Sequence, residues 1–184
     1  MITVFTPTYN RGNLLSRLYQ SLCKQIYKEF EWVIVDDGST DNTASIVELI
    51  QKKHSRSDFP IHYYQKENGG KHTAINIGVK KAQGELFFIA DSDDILPPNA
   101  LQIIADVWGQ TKNDNSIGGI CGFDGDLNDE TLIGNGFPKS LSLSKLLISG
   151  NKYINYIDAT TRHIRFDLGV RRTKVSTLDD KQVG

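Results

Sequence analysis

Trp32-Val33-Ile34-Val35-Asp36-Asp37-Gly38-Ser39 is the stretch that decides the fold, an unbroken apolar run that ends in two carboxylates and a tight-turn pair. The arrangement returns at Leu86-Phe87-Phe88-Ile89-Ala90, followed by Asp91-Ser92-Asp93-Asp94. Strands that are apolar at every position are typical of a parallel sheet with helices on both faces. Carboxylates bunched at strand ends repel one another, so they indicate a cation, or the hydroxyls and ring nitrogen of a nucleotide, between them.

Strand and helix patterns alternate through the first 125 residues. Three more apolar strands are predicted, at residues 2–6, where Pro7 ends the strand, at 61–64 and at 117–123. The helices are marked by an apolar stripe of Leu14, Leu18, Leu22 and Ile26, by Asp41 as an N-cap, by the range from Thr73 to Ala82, and by Pro97-Pro98. The alternation predicts an α/β fold with helices on both faces of a mostly parallel sheet, whose central strands take the order 3-2-1-4.

In such a sheet, ligands bind at the carboxyl ends of the strands, where the winding reverses between strands 1 and 4. The loops that meet there are residues 6–11, 36–39 and 91–94. Beyond residue 134 the pattern weakens. Leu141, Leu146 and Leu147 predict a short helix, and alternation from Ile164 to Val170 predicts a half-buried strand.

Composition places the chain among ordinary globular proteins, with 184 residues, 39% hydrophobic and 23% charged. A net charge of −1 gives no argument for wholesale attraction to nucleic acid or membranes, and no nucleic-acid partner is expected. Cys23 and Cys121 are expected to be apolar fillers in a reducing compartment. With no signal-peptide pattern and no apolar run near 18 residues, we expect a cytoplasmic protein without a transmembrane segment, for which peripheral membrane contact is left open.

Asp91 and Asp93 are one residue apart, so in extended backbone their carboxylates face the same side and can share one hard cation. Two aspartates at this spacing are common in loops, but their position after a buried strand favours a metal site. Mg²⁺ or Mn²⁺ retains open positions that phosphate oxygens fill, which suits a diphosphate-bearing substrate.

Neighbouring loops carry further candidates, each with a plainer alternative. Asp36 can accept hydrogen bonds from a base or a ribose, whereas Ser39 and Asp41 are better explained as caps of the next helix. Tyr9 can stack on a base. Lys71 follows two glycines and is either a phosphate-binding cation or a solvated lysine.

Together these motifs resemble the family-2 glycosyltransferases of the GT-A fold. The matching stretches are residues 2–11, 32–41, 68–71, 76–78, 82–84 and 88–94, in order over residues 1–125. The resemblance implies a Rossmann-like three-layer α/β sandwich, with residues 1–150 as the nucleotide-sugar-binding domain and 151–184 as an atypical tail. It also implies a UDP-sugar donor, Mn²⁺ or Mg²⁺, a saccharide or other hydroxyl acceptor, inversion at the anomeric carbon, and a role in polysaccharide or cell-wall synthesis.

The resemblance also assigns roles by position. Thr6 to Tyr9 and Asp36 would contact the nucleoside, Asp91 the ribose or sugar, and Asp93 the metal, with Asp91 as a second metal candidate. The predicted donor-binding residues are Thr6, Pro7, Thr8, Tyr9, Asn10, Arg11, Asp36, Gly38, Ser39, Lys71, Asp91 and Ser92.

The catalytic base is not placed by any motif. Family members take it from an acidic motif in the C-terminal half, where Asp158 and Asp167 are available by residue type. A binding-only protein that holds the donor without turnover is therefore the main alternative. A phosphoryl-transfer protein is disfavoured, because paired acids of the receiver type follow the first strand and these follow the second.

Overall fold

The computed structural model describes residues 1–54 and 59–113, with the backbone of residues 119–120, 124–125, 132–133 and 170–172. The centre of its sheet consists of four parallel strands in the order β3-β2-β1-β4. Their bounds are β1 Ile2–Thr8, β2 Phe30–Asp36, β3 Ile61–Gln65 and β4 Leu86–Ile89. The predicted order 3-2-1-4 is confirmed.

Four short strands follow. They are β5 Gly119–Ile120, β6 Asp124–Gly125, β7 Leu132–Ile133 and β8 Val170–Arg172. β8 pairs antiparallel with both β4 and β5 and extends the main sheet, while β6 and β7 pair with each other. The fifth strand predicted at residues 117–123 is described only at β5. The helix predicted around residues 141–147 and all but the last residue of the strand predicted at 164–170 lie outside the described residues.

Helices cover both faces of the sheet. They are α1 Gly12–Cys23, α2 Thr43–Lys53, α3 Lys71–Lys81 and α4 Ala100–Thr111. Because successive strand residues point to opposite faces, Trp32 and Ile34 share a core with α1, α2 and α4, while Val33 and Val35 share a core with α3. This is the predicted three-layer sandwich.

The apolar stripe of α1 differs from the prediction. Leu15, Leu18 and Leu22 are buried, Leu14 is only partly buried, and Ile26 lies beyond the helix with 63% of its surface exposed. A strict four-residue spacing drifts around a helix of 3.6 residues per turn, so a stripe extrapolated from Leu14 leaves the core face before it reaches Ile26.

Gly78 sets how closely α3 approaches the sheet. A Cβ at this position would lie 2.2 Å from the ring of Phe5 on β1, well inside van der Waals contact. Any larger residue would lift α3 away from the sheet and open the core between them.

A buried carboxylate joins the amino ends of the strands. Glu31 is 1% exposed, and its Oε1 accepts hydrogen bonds from the Thr3 hydroxyl at 2.6 Å and the N–H groups of Gln83 at 2.6 Å and Gly84 at 3.2 Å. The His62 imidazole lies 3.5 Å from the other oxygen. β1, β2, β3 and the turn before β4 are thereby tied together. Within the described residues, no helix has the length and apolarity needed to span a membrane.

Candidate functional site

Four loops meet at the carboxyl end of the sheet, as its topology requires. We call residues 8–11, 36–41, 66–71 and 91–94 the crevice loops. They follow β1, β2, β3 and β4 in turn, and hydrogen bonds and ion pairs link each of them to two of the others. The predicted convergence of the loops after strands 1, 2 and 4 is confirmed, and the loop after β3 joins them.

Asn10 ties the first loop to the second. Its Oδ1 accepts the N–H of Thr40 at 2.8 Å and that of Asp41 at 3.3 Å, while its own N–H donates to Ser39 Oγ at 2.8 Å. Asn10 has a φ of 52°, a left-handed conformation that asparagine tolerates better than most residues. Ser39 therefore does not cap α2. Asp41 is not the N-cap as predicted, because Asn42 takes that position without a side-chain cap bond; the Asp41 carboxylate instead accepts the N–H of Thr43, the first residue of α2, at 2.9 Å.

Asp36 ends β2 with its side chain fully buried. Its Oδ1 accepts the N–H of Ser39 at 2.8 Å, and its Oδ2 accepts the Tyr63 hydroxyl at 2.6 Å. Burial, together with this bond to a carboxylate, raises the pKa of Tyr63 above its usual range, so the phenol stays protonated as the donor. Asp36 is thus held in one orientation at the base of the crevice, and its contact with a nucleoside stays a prediction.

Asp37 organises the third loop. Its carboxylate accepts the N–H of Gly69 at 3.0 Å and that of Gly70 at 2.7 Å, and pairs with the Lys66 ammonium. Burial alone would raise the pKa of Asp37, but the Lys66 ammonium and the two backbone N–H groups outweigh it and hold the pKa below its ordinary value. The adjacent Gly38, at a φ of 81°, lets the two loops touch, since a Cβ there would lie 2.7 Å from the backbone N of Asn68.

The Asp91–Asp94 segment is a turn, and the extended backbone considered for it from the sequence is wrong. The N–H of Asp94 donates to the carbonyl of Asp91 at 3.0 Å, and the N–H of Asp91 donates to the Asp94 carboxylate at 2.6 Å. Each predicted metal ligand pairs with a cation from another loop. Lys71 Nζ lies 2.6 Å from Asp91 Oδ2, and Arg11 Nη1 lies 3.1 Å from Asp93 Oδ2. Ser92 between them is buried.

Two threonine hydroxyls at the carboxyl end of β1 differ in whether they have a hydrogen-bond partner. Thr6 Oγ1 accepts the indole N–H of Trp32 at 2.9 Å, whereas the buried Thr8 Oγ1 has no hydrogen-bond partner among the described residues. Tyr9, just beyond, is 47% exposed and free to stack on a planar ligand.

Pro7 does not end β1 as predicted, because the strand continues through it to Thr8. In a parallel strand, successive residues direct their backbone groups to alternate neighbours. The Thr8 carbonyl accepts from Asp37 beyond β2, and that of Phe5 accepts from Ala90 beyond β4. The backbone of Pro7 therefore faces β4. The pairing of β4 with β1 stops at Phe5, so the N–H that proline lacks interrupts no hydrogen bond between these two strands.

Three residues that position the crevice loops were not predicted as part of the site: Tyr63, Lys66 and Asn68. Their partners Asp36 and Asp37 lie 27 to 31 positions earlier in the chain. The only local signal was the Asn68-Gly69-Gly70 loop. The predicted base candidates Asp158 and Asp167 lie outside the described residues.

The carboxylates at this site suit a metal ion whose coordination is completed by substrate. Within residues 1–54 and 59–113, no group of three or more carboxylate, imidazole or thiolate side chains is placed to hold a metal ion. Asp91 and Asp93 supply carboxylate oxygens on one turn. Mg²⁺ and Mn²⁺ are commonly held by one or two carboxylates plus substrate phosphates, so these residues fit such an ion.

Comparison with known proteins identifies the family. The model of glycosyl transferase family 2 matches residues 3–169, and the chain belongs to that family. Among curated proteins it is 33% identical over 124 residues to glycosyltransferase GlyG of Streptococcus pneumoniae serotype 4, covering 67% of this chain and 40% of GlyG. It is 36% identical over 107 residues to an uncharacterised glycosyltransferase of Nostoc sp., covering 58% of this chain and 32% of the relative. The chain thus spans well under half the length of these relatives.

Solved structures share the fold. S. aureus TarS 1–349 in complex with UDP superposes with a TM-score of 0.64 at 26% identity, covering 94% of this chain and 46% of TarS 1–349. Its complex with UDP-GlcNAc has a TM-score of 0.62 at 26% identity, covering 94% and 45%. Mannosyltransferase PcManGT of Pyrobaculum calidifontis, in complex with GDP-Man and Mn²⁺, has a TM-score of 0.57 at 30% identity, covering 64% and 34%. The GT-A-type α/β fold is confirmed.

Proposed function

We propose that this chain carries the donor site of a glycosyltransferase, which binds a nucleoside-diphosphate sugar with Mn²⁺ or Mg²⁺ and passes the sugar to a hydroxyl acceptor. The observation that carries the proposal is the meeting of four crevice loops around Asp91 and Asp93 in a family-2 chain. UDP is the proposed nucleotide. The TarS complexes with UDP and UDP-GlcNAc favour it, and the PcManGT complex with GDP-Man makes GDP the competitor to test.

Each crevice loop has a proposed part in donor binding. Tyr9 stacks on the base, since it is exposed beside the end of β1. Thr8 supplies a hydroxyl that has no partner within the described residues. Asp36, oriented by Tyr63, accepts a hydrogen bond from the nucleoside once the ligand or a small shift of Ser39 opens access to it. The remaining donor-site assignments, Thr6, Pro7, Asn10, Arg11, Gly38, Ser39, Lys71 and Ser92, rest on their place in or beside these loops.

Asp93 is the proposed metal ligand, with Asp91 on the same turn contacting the ribose or the sugar. A bound divalent cation would offset the negative charge that grows on the departing nucleoside diphosphate. Asp93 is half exposed, so a hydrated cation can reach it without unfolding the turn. Lys71, whose ammonium lies 2.6 Å from Asp91, adds a second positive charge beside this turn.

The proposed transfer inverts the anomeric carbon in one displacement. The acceptor oxygen forms a bond to that carbon, the bond to the diphosphate oxygen breaks, and its electron pair leaves with the nucleotide. The acceptor proton passes to a carboxylate base, for which Asp158 and Asp167 stay the predicted candidates. A cell-wall or other polysaccharide acceptor is likewise a proposal that follows from family membership. A cytoplasmic location stays the proposal made from the sequence.

Calorimetric titration tests the donor site directly. UDP, GDP and their sugars are titrated with and without Mn²⁺, and we expect UDP to bind only weakly when Mn²⁺ is absent. Asp93→Ala should weaken Mn²⁺-dependent UDP binding about 100-fold, because the metal loses its protein ligand. Asp106→Ala is the matched control, an exposed aspartate on α4 whose carboxylate accepts a hydrogen bond from the Gln102 amide at 2.8 Å. Unchanged UDP binding by Asp93→Ala would remove Asp93 from the metal role.

Release of UDP on adding acceptor saccharides separates transfer from binding alone. A chain that binds UDP-sugar with metal but releases no UDP with any acceptor would support the binding-only alternative for this segment. A chain that binds no nucleotide at all would contradict the proposed function.

A further inference from the structure

Two ion pairs of the crevice loops, Lys66 with Asp37 and Arg11 with Asp93, differ in burial. Lys66 and Asp37 are 19% and 6% exposed, and Asp37 is also held by two backbone N–H groups. Arg11 and Asp93 are 50% and 54% exposed, and neither side chain makes another hydrogen bond within the described residues. The first pair is part of the scaffold, whereas the second can open without disturbing it.

We propose that Arg11 is an exchangeable counter-cation of the donor site. It neutralises Asp93 while no metal is bound, and moves to the donor diphosphate when a divalent cation takes Asp93. The inference rests on the proposed function and adds to it the order in which Arg11 changes partners, from Asp93 to the diphosphate. Metal and diphosphate binding become coupled through one side chain, because the step that frees Asp93 for the cation also frees a guanidinium for the phosphates.

The exchange is favourable on simple grounds. Exposed ion pairs contribute at most about fivefold to an equilibrium, so a divalent cation displaces Arg11 at little cost. The planar guanidinium then matches phosphate oxygens with two parallel hydrogen bonds, a geometry that a lysine ammonium lacks. Arg11 stands immediately before α1, which starts at Gly12, so its base is held by a rigid element while the side chain swings.

Arg11 is suited to the exchange because the residues on either side of it in the chain are held in place. Asn10 is locked to the second loop by its Oδ1 and its N–H, and Gly12 packs against α2, where a Cβ would lie 2.8 Å from the Cα of Thr43. The backbone on both sides of Arg11 is therefore immobilised. Only the side chain is left to change partners.

The proposal makes opposite predictions for two ligands of one variant. Arg11→Gln should bind Mn²⁺ alone about two- to fivefold more tightly, because a competing cation is gone. It should bind UDP in saturating Mn²⁺ roughly tenfold more weakly, because the diphosphate loses a charge-assisted donor. Arg11→Lys should return Mn²⁺ affinity to the wild-type value and recover only part of the UDP affinity.

Mn²⁺ binding is measured by electron paramagnetic resonance of the free ion, and UDP binding by calorimetry. Arg17→Gln is the matched control, since it removes the same charge from an exposed position one and a half turns further along α1, and it should change neither affinity. Mn²⁺ and UDP affinities that move in the same direction in Arg11→Gln, or that match those of Arg17→Gln, would overturn the exchange while leaving the donor site in place. Wild-type protein that binds neither ligand would overturn the proposed function and the exchange with it.

Discussion

Glu31, at the amino end of the sheet, and the pair Asp91 and Asp93, at its carboxyl end, are held in different ways. At the amino end, Glu31 is buried and one of its oxygens accepts three hydrogen bonds from two other chain segments. At the carboxyl end, Asp91 and Asp93 lie on one turn, where Asp91 pairs with the ammonium of Lys71 and Asp93 with the guanidinium of Arg11. The same functional group is fixed by short, buried donors at Glu31 and is paired with long, more exposed side chains at Asp91 and Asp93.

The difference separates a structural carboxylate from a ligand-binding one. Removing a fixed carboxylate leaves buried donors without an acceptor, which costs stability. Removing an exposed one leaves only a solvated cation, so the folded state barely changes and the loss falls on binding. Burial and donor type, rather than the presence of an acidic residue, decide which kind of defect a substitution produces.

Glu31→Ala is the largest stability effect that we expect. It leaves the Thr3 hydroxyl and the N–H of Gln83 without the acceptor that they share, and should lower the free energy of unfolding by about 3–4 kcal/mol. Urea unfolding measures it. Glu31→Gln keeps an acceptor at Oε1 and should cost about half as much. UDP affinity of the folded fraction should not change, and a loss of stability below about 1 kcal/mol would contradict the structural role.

The fold followed from the sequence because its signal is local. Apolar runs with helical patterns between them define the parallel sheet, and right-handed crossovers then bring the strand ends together. Asp36, Asp91 and Asp93 could be placed at the crevice because each follows directly on a buried strand.

The contacts could not be predicted in the same way, because they join residues far apart in the chain. Glu31 precedes the apolar run from Trp32 to Val35 and shows no local sign of burial; its hydrogen-bond donors lie 28 and more positions away. The pairing of Arg11 with Asp93, and of Asp37 with Gly70, depends equally on tertiary structure. The Asp91–Asp94 turn was missed because strand spacing was extended beyond the residue where β4 ends.

Asp37→Asn tests a residue that both stabilises the fold and holds a loop of the crevice. An asparagine keeps one acceptor but loses the pairing with Lys66 and one of the bonds from Gly69 and Gly70. The free energy of unfolding at pH 7 should fall by about 2 kcal/mol. UDP binding should weaken severalfold, because the loop that carries Lys71 is less well held.

The effect of Asp37 on stability should depend on pH. Its pKa in the folded state lies below the ordinary value of 3.8, so its contribution is fully present above about pH 4 and is lost as the pH falls through the folded pKa. Unfolding by urea at pH 7, 5, 4 and 3 should show the wild-type advantage over Asp37→Asn shrinking below pH 4. A difference that stays constant down to pH 3 would mean that the Asp37 charge does not stabilise the loop.

The smallest effects come from two threonines on β1, and they should have opposite signs. Thr3, at the amino end, donates to Glu31 and accepts the N–H of Gly84 at 2.9 Å. Thr8, at the crevice, is equally buried, but its hydroxyl has no partner within the described residues. Valine has nearly the shape of threonine without the hydroxyl. Thr3→Val should therefore lower the free energy of unfolding by about 1.5 kcal/mol, and Thr8→Val should raise it by about 1 kcal/mol.

Binding distinguishes the two threonines a second time. Thr8→Val should weaken UDP binding severalfold, because the hydroxyl that is left unsatisfied in the free protein is the one proposed to meet the nucleoside. Thr3→Val should leave UDP binding unchanged. Paired urea unfolding and calorimetry on both variants decide the matter. If Thr8→Val destabilises the protein as Thr3→Val does, the carboxyl end of β1 is satisfied internally like the amino end, and the contrast between the two ends fails at this strand.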